Sequence, residues 1–114
     1  MALAASDLLA HMREAASQAL IYTEGLDREE FLGDKRTQQA VILNLVILGE
    51  AATKLMDHHP ALAEHHPQIE WRAIRGMRNR IAHGYYDINL DIVWETLCTA
   101  LPLLLEQLDG LAEK

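Results

Sequence analysis

The stretch Ala40-Val-Ile-Leu-Asn-Leu-Val-Ile-Leu48 constrains the fold of this chain more than any other. It sits in a proline-free segment from Asp34 to Asp57, too long for a strand, so the segment reads as one helix. At roughly 100° per residue the apolar side chains of its middle point in every direction. A helix of that kind must be covered all round. One small bundle covers about three sides, so the remaining face is expected to meet a second subunit. The run is far shorter than the roughly 20 apolar residues that a membrane span needs. Asn44, its one polar member, is expected to be buried and hydrogen-bonded. Glu50 and Thr53 resume polarity, and Glu50 reads as a surface charge.

The other segments supply the cover. A first helix begins at Ser6 or Asp7, both good caps, carries Leu8, Met12, Ala15, Ala19 and Tyr22 at helical spacing, and ends at Gly25. His11 stands at the edge of its apolar side. Leu26 to Gly33 reads as a polar link anchored by Phe31. A last helix, capped by Asp87 or Asn89, carries Leu90, Trp94, Leu97, Leu101, Leu104, Leu108 and Leu111, a heptad seam with a kink expected at Pro102. His58-His59-Pro60 and His65-His66-Pro67 echo one another. Four histidines at this spacing can suit zinc, but no cysteine or carboxylate completes a tetrahedral set. They read as solvated loop residues around one helical turn at Ala61 to Glu64. No strand signal, repeat, Gly-rich phosphate loop or Ser/His/Asp set appears. The expectation is a single all-α domain over residues 1–114, an antiparallel four-helix bundle that pairs into a homodimer, with no metal or cofactor.

Composition narrows the setting. The formal net charge of -7 argues against loose, non-specific binding to nucleic acid. The single cysteine, Cys98, forbids an intramolecular disulfide and fits a reducing compartment; Leu97 and Leu101 beside it suggest a buried, inert thiol. The start, Met-Ala-Leu-Ala-Ala-Ser-Asp, lacks the basic opening of a signal peptide. A soluble, cytoplasmic protein with no membrane span is expected.

Against that acidic background, Trp71-Arg-Ala-Ile-Arg-Gly-Met-Arg-Asn-Arg-Ile-Ala-His-Gly-Tyr85 holds four arginines and no acid. Positive charge kept together in an acidic chain suggests a site for an anion. On a helical wheel Ile74, Met77 and Ile81 form one stripe, with Arg72, Gly76, Asn79, Arg80 and His83 opposite. Asn79 and His83 are i, i+4 neighbours whose side chains can touch. Arg78 lies about 140° around from His83, so the two share a phosphate only through the long arginine stem or across two copies of the helix. Gly84 is expected to close the helix as a left-handed cap, placing His83 at its end and Tyr85 just beyond. An imidazole titrates near pH 6.5, and a guanidinium offers a planar fork to phosphate oxygens. With Asn79 to orient one of them, the set suits metal-free phosphodiester chemistry.

Arg78-Asn79-x-x-x-His83-x-Tyr85 resembles the Arg-x4-His-x-Tyr motif of the HEPN superfamily, and in particular the HepT-like ribonuclease toxins paired with MNT-type nucleotidyltransferase antitoxins. The resemblance extends to Trp71-Arg-Ala-Ile-Arg-Gly-Met-Arg-Asn79, Leu48-Gly-Glu-Ala-Ala52, Ile92-Val-Trp94 and Leu101-Pro-Leu103, so it spans essentially the whole chain. It implies a metal-independent endoribonuclease acting on RNA at a dimer interface. His83 would be general base or acid, Arg78 would hold the scissile phosphate, Asn79 would orient one of them, and Tyr85 would line the cleft. Arg75 and Arg80 are candidate backbone contacts. It also implies that the Gly49-Glu50 pair faces the motif, and that the antitoxin silences the enzyme by transferring AMP to the motif tyrosine, Tyr85, with Tyr86 its immediate neighbour. A second reading is a non-catalytic nucleotide- or partner-binding subunit of a nucleotidyltransferase complex. A third is a dimeric helical protein whose motif match is accidental.

Overall fold

The computed structural model describes residues 3–112; Met1 and Ala2, at the head of the expected leaderless start, lie outside that range, as do Glu113 and Lys114. The described chain is helical from end to end, and four long rods carry it: α1 (Ala5–Tyr22), α3 (Lys35–His58), α5 (Trp71–His83) and a bent fourth rod made of α6 (Leu90–Glu95), a π-helical turn (Thr96–Ala100) and α7 (Leu101–Ala112). Two short helices, α2 (Arg28–Leu32) and α4 (Pro60–His65), sit in the connections. The fold class is therefore all-α, as the periodicities predict.

The core is centred on α1 and α3. Leu8, Met12, Ala15, Ala16 and Ala19 of α1 and Val41, Leu45, Leu48, Ala52 and Leu55 of α3 form one buried cluster. The alanines let the two axes approach closely. Burying a Leu or Met side chain completely is worth about 1.5–3 kcal/mol, so this pair dominates the stability of the bundle. Asn44 departs from expectation: it is only half-buried and donates to Ala40 O at 2.9 Å, within its own helix. By length and composition α3 could cross a membrane, yet its buried residues are the centre of the bundle. Leu43 and Ile47 remain uncovered, 59% and 42% exposed. One face of α3 is thus left bare by the bundle, at Leu43 and Ile47.

Several ends differ from the sequence reading. Helix α1 starts one residue before Ser6, with no side-chain cap, and Asp7 lies in its first turn, where the helix dipole favours an acid. It stops at Tyr22, which is exposed rather than buried. Gly25, at φ 82°, then supplies the left-handed turn that other residues resist. The supposed link after it is helical because Asp27 and Glu30 form a reciprocal capping box: the Asp27 carboxylate accepts from Glu30 N–H at 2.8 Å, and Glu30 accepts from Asp27 N–H at 3.1 Å. This helix plants Phe31 in the core, 5.4 Å from the Trp94 ring centre. Asp34 caps α3, accepting from the Thr37 hydroxyl at 2.6 Å and its N–H at 3.1 Å.

In the fourth rod Asn89 is the cap, accepting from the N–H groups of Asp91 and Ile92. Leu97, Leu101, Leu104 and Leu108 are buried as the heptad requires. Pro102 does not simply kink the rod. It cannot donate to the carbonyl four residues back, at Cys98, and its ring crowds that carbonyl, so the turn before it widens into the π segment. Cys98 lies on this widened turn and is exposed, contrary to the buried thiol expected.

Candidate functional site

The rods run antiparallel to their neighbours. Arg13 of α1 pairs with Asp109 of α7, and Ser17, Leu20 and Ile21 lie beside Leu105. Across α3 and α5, Arg78 meets Glu50 while Arg75 meets Asp57. The order around the bundle is therefore α5–α3–α1–α7, and the seam between α5 and the fourth rod stays open as a cleft of about 740 Å³. Its floor includes Leu45, Leu48, Ile74, Met77, Ile81 and Leu101. Ile81 is buried, but Ile74 and Met77 are only half-buried because they look into this cleft.

Helix α5 is fixed at its start by Trp71, buried and donating from Nε1 to His66 O at 3.0 Å. Along its length it rests on α3 at Gly49. A Cβ on Gly49 would collide with the Arg78 stem, with Arg78 Cγ at 2.8 Å. Only the missing side chain lets the two helices come this close. The approach brings Arg78 against Glu50, Nη1 to Oε1 at 2.6 Å, and against Thr53, Nη2 to Oγ1 at 3.1 Å. Arg75 reaches Asp57 Oδ1 at 2.8 Å and Thr53 O at 3.5 Å. The Nε–H groups of both arginines are buried without an acceptor. Arg75, the candidate backbone contact, braces α5 to α3. Arg72 and Arg80 are exposed and have no carboxylate partner among the described residues.

His83 ends α5, exposed, and lines the cleft together with Arg80, Gly84, Asp87 and Asn89. Arg78 lies on the α3 side and not on the cleft, as the wheel places it. Asn79 is exposed, and no hydrogen bond joins it to His83 among the described residues. Gly84 is not a left-handed cap: its φ is -147°. The chain closes instead through a 3-10 turn, Tyr85–Asp87, with Asp87 N–H bonded to Gly84 O at 2.9 Å. That turn carries Tyr85 and Tyr86 edge to face, 5.8 Å apart, 45% and 98% exposed. The Gly49-Glu50 pair does face the motif. Thr53 does too, which the sequence reading missed; its recurrence one turn after Gly49, where polarity resumes, is the available signal. Leu43, Ile47 and Glu50 fall on one stripe of α3 at i, i+4 and i+7, so the bare apolar face runs directly into the Arg78 site.

The histidine echo splits up. His58 and His65 are exposed, the His59 ring lies 3.0 Å from Leu3 O, and the carbonyl of His66 serves Trp71. Among the described residues no three of His, Cys, Asp and Glu come together to hold a metal ion.

Four long helices around an aliphatic core, with guanidinium, amide and imidazole following one another along α5 and a phenol on the turn just beyond it, define an all-α domain of the HEPN type. The family described as "Ribonuclease HepT-like" matches residues 12–111, and the chain belongs to that family. It is 35% identical to the "Probable ribonuclease HepT" of Thermococcus cleftensis over 98 residues, covering 86% of both chains. It is 31% identical to the "Putative RNase MJ0127" of Methanocaldococcus jannaschii over 84% of this chain and 74% of that one. With the "Putative RNase TTE0752" of Caldanaerobacter subterraneus subsp. tengcongensis it shares 29% identity over 93% and 92%. No solved structure is a significant match.

Proposed function

We propose that the protein is the toxin of a type II toxin–antitoxin pair, a metal-independent endoribonuclease whose site is completed by dimerisation. The observation that carries this reading is the placement of the motif in a member of a ribonuclease family: Arg78 on the α3 side of α5, beside the uncovered Leu43–Ile47 face, and His83 at the exposed end of the same helix. Two copies meeting along that face bring the arginine of one toward the histidine of the other. His83 takes the proton of an RNA 2′-hydroxyl, whose oxygen attacks the neighbouring phosphorus in line. The P–O5′ bond breaks and the leaving oxygen takes up a proton. Arg78 meets the charge that grows on the phosphate, Asn79 orients phosphate or imidazole, and exposed Arg80 holds the backbone. Such a protein works in the cytoplasm, where RNA is.

Regulation follows from the same stretch. An MNT-type nucleotidyltransferase antitoxin transfers the adenylyl group of ATP to a tyrosine hydroxyl, releasing pyrophosphate. Both Tyr85 and Tyr86 are accessible; the motif position assigns Tyr85. The added phosphate and base would block the site by charge and bulk.

The test is expression of wild type and His83→Ala, each with and without the partner, followed by RNA cleavage in the presence of a chelator and intact mass. We expect cleavage and growth arrest to vanish in His83→Ala while the helical circular dichroism signal persists, and co-expression to add one AMP at Tyr85. A folded His83→Ala that still cuts RNA at the wild-type rate sinks the reading. One observation favours the non-catalytic binding subunit: Glu50 already meets the charge of Arg78 within the subunit. A wild-type dimer that binds RNA or nucleotide without cutting would establish that alternative.

A further inference from the structure

Glu50 and Thr53 lie outside the Arg-x4-His-x-Tyr motif, on a different helix, yet both end on its arginine. The Thr53 hydroxyl also donates to Gly49 O at 2.8 Å. A hydroxyl has one proton and two lone pairs, so with that proton on the carbonyl the oxygen can only accept from the Arg78 Nη2–H, through one of those lone pairs. Thr53 is therefore held as an acceptor, and its own helix fixes the direction. The Glu50 carboxylate takes the other terminal nitrogen, Nη1, at 2.6 Å. Gly49, on the same stretch of α3, lets the stem of Arg78 lie on the helix surface.

The consequence is an inventory of protons. A guanidinium has five N–H groups in one plane. Glu50 takes one, Thr53 takes one, and Nε–H is buried. Two remain, one on each terminal nitrogen. A free arginine on a surface helix would sweep many orientations; this one is locked in rotation and in tilt.

We infer that Glu50 and Thr53 are positioning residues that act through Arg78, clamping its guanidinium against α3 so that one remaining N–H on each terminal nitrogen is presented to the phosphate. This rests on the nuclease reading for its consequence in catalysis, but the clamp itself does not. Neither residue touches substrate. Their removal leaves the guanidinium present but loose, and loss of alignment of this kind costs roughly 10- to 100-fold in rate.

The experiment uses the full-length chain and a double-mutant cycle. Steady-state cleavage of a single-stranded RNA is measured for wild type, Glu50→Ala, Glu50→Gln, Thr53→Val, Arg78→Ala and the Glu50→Ala/Arg78→Ala double variant. In parallel, nitrogen NMR follows rotation of the Arg78 guanidinium about its Cζ–Nη bonds. The expected result is a kcat loss of roughly 10-fold or more in Glu50→Ala, with substantial rescue in Glu50→Gln, whose amide oxygen still accepts. Thr53→Val should lose less. In the Arg78→Ala background Glu50→Ala should have no further effect, because its target is gone. Arg78 rotation should be hindered in the wild type and fast in Glu50→Ala. Equal losses in both backgrounds, full activity of Glu50→Ala, or free rotation in the wild type would each overturn the inference. A wild type that cuts no RNA refutes the nuclease reading instead, and the rotation measurement then decides the clamp by itself.

Discussion

The two helices that flank α3 meet it in opposite ways. Against α1 the contact is a seam of Leu, Met and Ala, closed along its length. Against α5 it is a glycine, two arginines, two carboxylates and a threonine, and α5 leaves an open cleft on its other side. The first contact is non-directional and tolerates small shifts; the second fixes angles and distances. The close apolar packing thus lies in the α1–α3 half, and the polar contacts and the open cleft lie in the α5 half, where the proposed chemistry would sit. Of α5 only Trp71 and Ile81 are buried, so removal of one of its exposed or half-buried polar side chains is expected to leave the domain folded.

The largest stability effect should separate the halves most sharply. Met12→Ala, fully buried on α1, should cost about 2–5 kcal/mol in denaturant unfolding. Met77→Ala, half-buried over the cleft on α5, should cost much less. Equal losses would mean that the seam between α5 and the fourth rod is filled in solution, by a second subunit or by closure, and the contrast between the halves would fall.

Gly49→Ala probes the polar half next. The new methyl meets the stem of Arg78, so α5 must move off α3. Overpacking of this kind costs about 1–3 kcal/mol. The Arg78–Glu50 contact should open with it, so RNA cleavage should fall further than the change in stability explains. A variant with wild-type cleavage and stability would show that α3 and α5 have slack.

Sequence exposes the two halves unequally. The α1–α3 seam and the leucines of the fourth rod are legible because burial imposes a period on residue type: Leu8, Met12, Ala15 and Ala19, or Leu97, Leu101, Leu104 and Leu108, stand where a 3.6-residue repeat puts them. The bare face of α3 was legible by arithmetic, since a helix apolar all round has more faces than a small bundle can cover. Residues that pair across helices obey no such period. Nothing near Arg75 in sequence says that Asp57 would claim it, or that Thr53 would spend its proton on Gly49. Pairing of this kind is decided by the closeness of two axes, and here one glycine sets that distance. The exposure of Cys98 was hidden for a related reason: the widened turn ahead of Pro102 is a backbone answer to a steric clash, and helical periodicity assumes there is none.

The smallest predicted effect concerns how the two helices begin. Helix α5 has no side-chain cap at Glu70, whereas α3 is capped by Asp34. The Thr37 hydroxyl first, and then the Thr37 N–H, hold the Asp34 carboxyl below its ordinary value of 3.8. A carboxylate whose pKa is lower folded than unfolded stabilises the fold above the unfolded value, and loses that contribution as pH falls through the folded one. Asp34→Asn keeps an acceptor but removes the titration. The difference in Tm between wild type and Asp34→Asn should therefore be steady near neutral pH and shrink only below about pH 4. Other carboxylates titrate in the same range, but they are common to both proteins and cancel in the difference. A gap that stays constant down to about pH 2 would mean that the Asp34 charge does not hold the start of α3. The scaffold half would then begin as loosely as the working half, and the contrast would rest on the buried seam alone.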